Sequence, residues 1–166
     1  PDDGLRSAQS FRVKCLSCKP GKFGESTGAA REEIGCTNCP TGRYSSKVSF
    51  VPPTSNELPC TACPRGTYNS KSGQITGAVC IPCEVGKYSD RTGESSDTAC
   101  KKCLAGRYNP MAGAGNADDC ILCPPGEYGN AIGLGFCLPC LQGFRNELHG
   151  QKQCTQCLLG RYTEEI

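Results

Sequence analysis

The chain has 166 residues, a formal net charge of +2, 37% hydrophobic residues and no tryptophan, and sixteen of the residues counted as hydrophobic are cysteines. Without those cysteines too little apolar side chain remains for one large core, and the near balance of charge excludes the basic field that draws nucleic acid. Glycine and proline together supply 33 residues, a mixture that favours turns over long helices or broad sheets.

Every cysteine belongs to a Cys-x-x-Cys pair, and the eight pairs begin at Cys15, Cys36, Cys60, Cys80, Cys100, Cys120, Cys137 and Cys154. The spacers between pairs hold 17, 20, 16, 16, 16, 13 and 13 residues. Self-similarity at this period marks a repeat array, and a cysteine content near a tenth marks a cross-linked scaffold. Divided after each second cysteine, the chain reads as a partial or degenerate first unit over 1–18, then units 19–39, 40–63 with the long spacer, 64–83, 84–103 and 104–123. Two short units, 124–140 and 141–157, and the start of a further unit at 158–166 complete it. Thirteen residues separate Pro1 from Cys15, and Gly4 stands where a unit glycine belongs. The segment therefore reads as a piece of a longer array.

Within each unit a glycine follows the second cysteine by three residues, from Gly21 to Gly160. An aromatic follows that glycine by two residues at Phe23, Tyr44, Tyr68, Tyr88, Tyr108, Tyr128 and Tyr162, and is shifted to Phe144 in the seventh unit. A second glycine stands at Gly28, Gly73, Gly93, Gly113 and Gly133. Glycine takes φ > 0 without steric cost, so both positions predict sharp turns. The aromatic is expected to fold over the sulfurs as the local core. The predicted fold class is a small disulfide-rich repeat array: an elongated, solenoid-like rod of short irregular β-hairpins, almost without helix, whose units touch their neighbours.

The runs Cys-Ile-Pro-Cys-Glu-Val-Gly-Lys-Tyr-Ser-Asp-Arg-Thr-Gly (80–93) and Cys-Thr-Ala-Cys-Pro-Arg-Gly-Thr-Tyr-Asn (60–69) resemble the ephrin-receptor-like cysteine-rich repeats, which are related in style to the cysteine-rich modules of tumour necrosis factor receptors. The resemblance extends from Cys15 to Tyr162 and implies tandem extracellular modules. It departs from the pattern in the second spacer, around Ser49 to Thr54, and in the two short C-terminal spacers.

Two disulfide connectivities suit the spacing. In a ladder the second cysteine of each pair bonds the first of the next: Cys18–Cys36, Cys39–Cys60, Cys63–Cys80, Cys83–Cys100, Cys103–Cys120, Cys123–Cys137 and Cys140–Cys154. Cys15 and Cys157 are then candidates for bonds outside the segment. In a crossed scheme neighbouring pairs close on each other, as in Cys60–Cys80 with Cys63–Cys83. The ladder treats every unit alike, as the residues do. Four-cysteine zinc sites share this spacing, but the unbroken run of pairs and the single histidine favour disulfides.

No catalytic, cofactor-binding or metal-binding residue is expected. His149 has no companion nucleophile, and Asp118-Asp119 and Glu94 to Asp97 lack the spaced oxygen ligands of a calcium loop. The residue before the aromatic is basic at Lys22, Arg43, Lys87, Arg107 and Arg161, a candidate stripe for acidic glycans or an acidic partner. No N-x-[ST] sequon and no membrane-length apolar run occurs. The function expected is an extracellular or cell-surface structural repeat protein, such as a stalk, coat element or filament protomer that associates end to end. The alternative is the ligand-binding or adhesive ectodomain segment of a cell-surface receptor.

Overall fold

A computed structural model describes residues 16–24, 29, 31–47 and 60–161. Cys15, Gly28, Tyr162 and residues 48–59 of the second spacer therefore lie outside the described residues.

The pairing begins inside the cysteine motif itself. The two residues between the cysteines of one pair form a strand, and they pair antiparallel with the strand that follows the first glycine of the preceding unit. In chain order the strands are β1 (Lys22–Gly24), β2 (Cys36–Asn38), β3 (Arg43–Tyr44), β4 (Thr61–Ala62), β5 (Thr67–Tyr68), β6 (Ile81–Pro82) and β7 (Lys87–Tyr88). They continue as β8 (Lys101–Lys102), β9 (Arg107–Tyr108), β10 (Ile121–Leu122), β11 (Glu127–Tyr128), β12 (Leu138–Pro139), β13 (Phe144–Arg145) and β14 (Thr155–Gln156). Each consecutive odd–even couple is a separate two-stranded sheet. A two-stranded hairpin is marginal alone in water, so each depends on the cross-links and on its neighbours.

Seven disulfides supply those cross-links, and of the two connectivities the structure holds the ladder. Cys18–Cys36, Cys39–Cys60, Cys63–Cys80, Cys83–Cys100, Cys103–Cys120, Cys123–Cys137 and Cys140–Cys154 are bonded, with sequence separations of 14 to 21. Closing loops of that length stabilises the fold by about 3 kcal/mol each through the unfolded state.

Between hairpins the backbone repeats one set of bonds. Gly66 N–H donates to the Ser89 carbonyl, Asn69 N–H to the Glu94 carbonyl, and Gly93 N–H to the Cys63 carbonyl. The same three bonds recur one unit later from Gly86, Ser89 and Gly113. Contact also reaches two units along: a Cβ placed on Gly42, Gly66 or Gly86 would overlap the carbonyl oxygen of Gly93, Gly113 or Gly133. The expectation that units touch only their neighbours is thus corrected. These first glycines are needed twice, for φ values of 74–78° and for the close backbone approach.

The core is made of sulfur more than of aromatic rings. Cys39, Cys63, Cys83, Cys103 and Cys123 are at most 1% exposed, whereas Tyr44, Tyr68, Tyr88, Tyr108 and Tyr128 are half-buried. Phe23 does pack with Cys39 and Cys60 as expected. The Tyr44 ring also reaches the next unit: its hydroxyl lies beside Gly77, where a Cβ would come within 2.9 Å of it. Helix is confined, among the described residues, to one turn, α1 (Glu32–Gly35), and to 3-10 turns at Gly77–Val79, Asp97–Ala99 and Ala117–Asp119. Those 3-10 turns fill the end of the sixteen-residue spacers, and the two thirteen-residue spacers lack them. The shortening removes a turn and leaves the hairpin intact.

Candidate interaction surface of the repeat array

Each hairpin begins with a tight turn after the second cysteine. Arg43 N–H donates to the Pro40 carbonyl and Lys87 N–H to the Glu84 carbonyl, with Gly42 and Gly86 in the left-handed region at the third turn position. The residue after the aromatic is then buried where units meet: Ser45, Asn69, Ser89 and Asn109 are 8% exposed or less.

Asn69 and Asn109, and Asn146 at the corresponding place in the seventh unit, clamp one unit to the one before. Asn69 Nδ2 donates to the Arg43 carbonyl at 3.4 Å, Asn109 Nδ2 to the Lys87 carbonyl at 3.3 Å, and Asn146 Nδ2 to the Glu127 carbonyl at 2.7 Å. Their Oδ1 atoms accept from Lys71, Met111 and Leu148 N–H and so fix the second turn. Ser89 occupies the same place with a hydroxyl that is buried without a hydrogen-bond partner. Sequence reasoning missed this position. The signal was present as a polar residue immediately after the aromatic in most units.

The candidate basic stripe is tied down locally. Arg43 Nη1 donates to the Cys60 carbonyl and Arg107 Nη1 to the Cys120 carbonyl. Lys22 lies 3.4 Å from Glu32, which also meets Lys19 at 3.0 Å, and Lys87 lies 2.7 Å from Glu84. Arg161 is exposed. The Lys19 ammonium, helped by Lys22, holds the Glu32 carboxyl below its ordinary range. Lys87 does the same to Glu84, and its own pKa is raised in return. Lys101 bonds both carboxylate oxygens of Asp90 at 2.9 Å, lowering its pKa, and lies 5.8 Å from the Tyr88 ring centre.

The seventh unit is differently built from its sequence appearance. Phe144 pairs with Gln156, the register that Arg43 and Arg107 hold in their hairpins, and Arg145 takes the aromatic's place opposite Thr155. Phe144 is accordingly exposed, and Arg145 pairs with Glu147. Gly150, at φ 74°, is the second glycine of this unit. Counting from a shifted aromatic had hidden it; counting from Gly143 gives the seven-residue spacing of Gly66 to Gly73.

The remaining candidates are placed plainly. Cys157 is a free thiol, half-buried beside an open groove of about 540 Å³ lined also by Gly143, Leu158 and Leu159. His149 is exposed. Asp119 Oδ2 accepts from Asn116 N–H in a capping box, so that carboxylate serves a turn. No cluster of metal-ligating side chains occurs among the described residues, and none of their helices is long and apolar enough to cross a membrane.

Residues 75–120 match the family model described as tyrosine-protein kinase ephrin type A/B receptor-like. The match covers less than a third of the chain, from the second turn of one unit to Cys120, and the hairpins on either side repeat its ladder and register. The chain matches no curated protein.

Proposed function

We propose that this array is part of the extracellular region of a cell-surface receptor or adhesion protein, in which it serves as a cross-linked spacer carrying exposed contact surfaces. The observation that carries this reading is the family match to receptor-type repeats over residues 75–120, set in a run of seven laddered disulfides. Such a ladder forms and persists in an oxidising compartment. Receptor-type repeats favour the ectodomain reading over the coat or filament protomer, to which no comparison points.

A spacer role follows from how load would be shared. Each hairpin is closed by a disulfide and bonded to the next through backbone groups, so stretching one unit meets a covalent stop after a loop of at most about twenty residues. Acidic glycans or proteins remain candidate partners through Arg161, the exposed member of the basic set.

Antibody raised against the folded array tests the reading on intact cells that express the native full-length protein. Staining without permeabilisation supports it. Staining that requires permeabilisation contradicts it.

A further inference from the structure

The residue immediately after the aromatic does not repeat with every unit. It reads Gly24, Ser45, Asn69, Ser89, Asn109 and Gly129, and Asn146 holds the place in the seventh unit. From Asn69 onward asparagine therefore stands in every second unit, although the disulfides and backbone bonds recur in every unit.

The side-chain bonds turn this alternation into geometry. Asn69 ties the hairpin of β5 and β6 to that of β3 and β4, Asn109 ties β9 and β10 to β7 and β8, and Asn146 ties β13 and β14 to β11 and β12. Six hairpins are thus clamped into three couples. The joints between couples fall at Ser89 and Gly129, and the two differ. At Gly129 there is no room for a side chain, since a Cβ would come within 3.1 Å of Cys123 Sγ and of Gly106 N. At Ser89 the hydroxyl is buried and bonds nothing. Among the described residues no side chain bonds the Thr67 carbonyl, which corresponds to the Arg43, Lys87 and Glu127 carbonyls that accept from asparagine. Ser45, ahead of the first couple, satisfies its hydroxyl within its own turn, on the Lys47 carbonyl.

From this contrast we infer that the array is articulated, with its hinge at Ser89, where the couple over 40–83 parts first from the couple over 84–123. The backbone is alike at the joints compared. Gly66 N–H meets the Ser89 carbonyl and Gly86 N–H the Asn109 carbonyl, both at 2.8 Å. Asn69 N–H meets the Glu94 carbonyl and Ser89 N–H the Ala114 carbonyl, both at 3.0 Å. The two-unit glycine contacts are also matched: Gly42 with Gly93 and Gly66 with Gly113 span the Ser89 joint, as Gly66 with Gly113 and Gly86 with Gly133 span the Asn109 joint. What differs is one side-chain hydrogen bond made at Asn109 and one buried hydroxyl left unsatisfied at Ser89. A difference of that size shifts a local opening equilibrium about tenfold. The hinge is a property of the array itself and stands whether or not the array belongs to a receptor.

Amide hydrogen exchange of the whole oxidised chain, resolved by residue with NMR, is the test. Protection factors of Gly66 and Asn69 are expected about tenfold below those of Gly86 and Ser89, their counterparts one unit on. Ser89→Asn is expected to raise the protection of Gly66 about tenfold, and Asn109→Ser to lower that of Gly86 by a similar factor. Gly126, which bonds the Asn146 carbonyl, changes in neither. Non-reduced peptide maps with all seven disulfides show which variants are folded, and Asn109→Ser, the smaller side chain, decides the matter if asparagine does not fit at position 89. Equal protection at the two joints in the parent, a Gly86 unchanged by Asn109→Ser, or a folded Ser89→Asn protein with Gly66 unslowed would each overturn the inference.

Discussion

Gly86 and Gly133, 47 positions apart in sequence, meet backbone to backbone: any Cβ on Gly86 would overlap the Gly133 carbonyl oxygen and carbon. The same approach joins Gly42 to Gly93, Gly66 to Gly113 and Gly106 to Gly150. It locks each unit to the unit two places on and makes the array stiffer than a chain of nearest neighbours.

Gly86→Ala is therefore expected to cost on the order of 3 kcal/mol or more, combining a left-handed alanine with a backbone clash that cannot relax through a rotamer. Gly133→Ala is expected to cost about 1 kcal/mol, because the atoms nearest its notional Cβ belong to the Lys102 side chain, at 3.2 Å or more. Denaturant unfolding of the two variants under non-reducing conditions measures the difference. Equal losses would show that φ alone governs these glycines.

The buried position after the aromatic gives a second contrast. Asn109→Ala breaks the clamp to the Lys87 carbonyl and the Met111 turn, at about 1–3 kcal/mol. Ser89→Ala deletes a buried hydroxyl that has no partner, so it should be neutral or stabilising by up to ~1 kcal/mol. A Ser89→Ala protein that melts well below the parent would contradict this account of the interface.

Much of the fold was legible because one covalent motif repeats. The pair spacing, Gly86 and Gly93 as turn positions, and Tyr88 beginning a hairpin all follow from residue type and period. What the sequence did not reveal depends on contact between units. Gly86 looked like a turn glycine and is also a packing surface; Asn109 looked like a loop residue and is a clamp; Lys87 looked like a free cation and is paired with Glu84.

Ion pairs make a modest, pH-dependent contribution whose sign is fixed. Asp90 is held below its ordinary pKa of 3.8 by Lys101, and Glu84 below its ordinary 4.5 by Lys87. Their stabilisation is present above the ordinary carboxylate range and is lost as pH falls through the depressed values. Lys101→Met should lower the melting temperature slightly near pH 7, with the difference from the parent shrinking only as pH falls below the ordinary carboxylate range, through the depressed Asp90 value. A difference that persists unchanged in acid would assign the effect to the Tyr88 contact instead.

The central claim is that the chain is a ladder of hairpins, each closed onto the next by one disulfide. Mass mapping of non-reduced peptides from the oxidised protein tests it most directly. The account predicts linked peptides for Cys63–Cys80, Cys83–Cys100 and Cys103–Cys120, with Cys157 outside the ladder. Recovery of Cys60–Cys80 together with Cys63–Cys83, or free thiols with stoichiometric zinc, would contradict it.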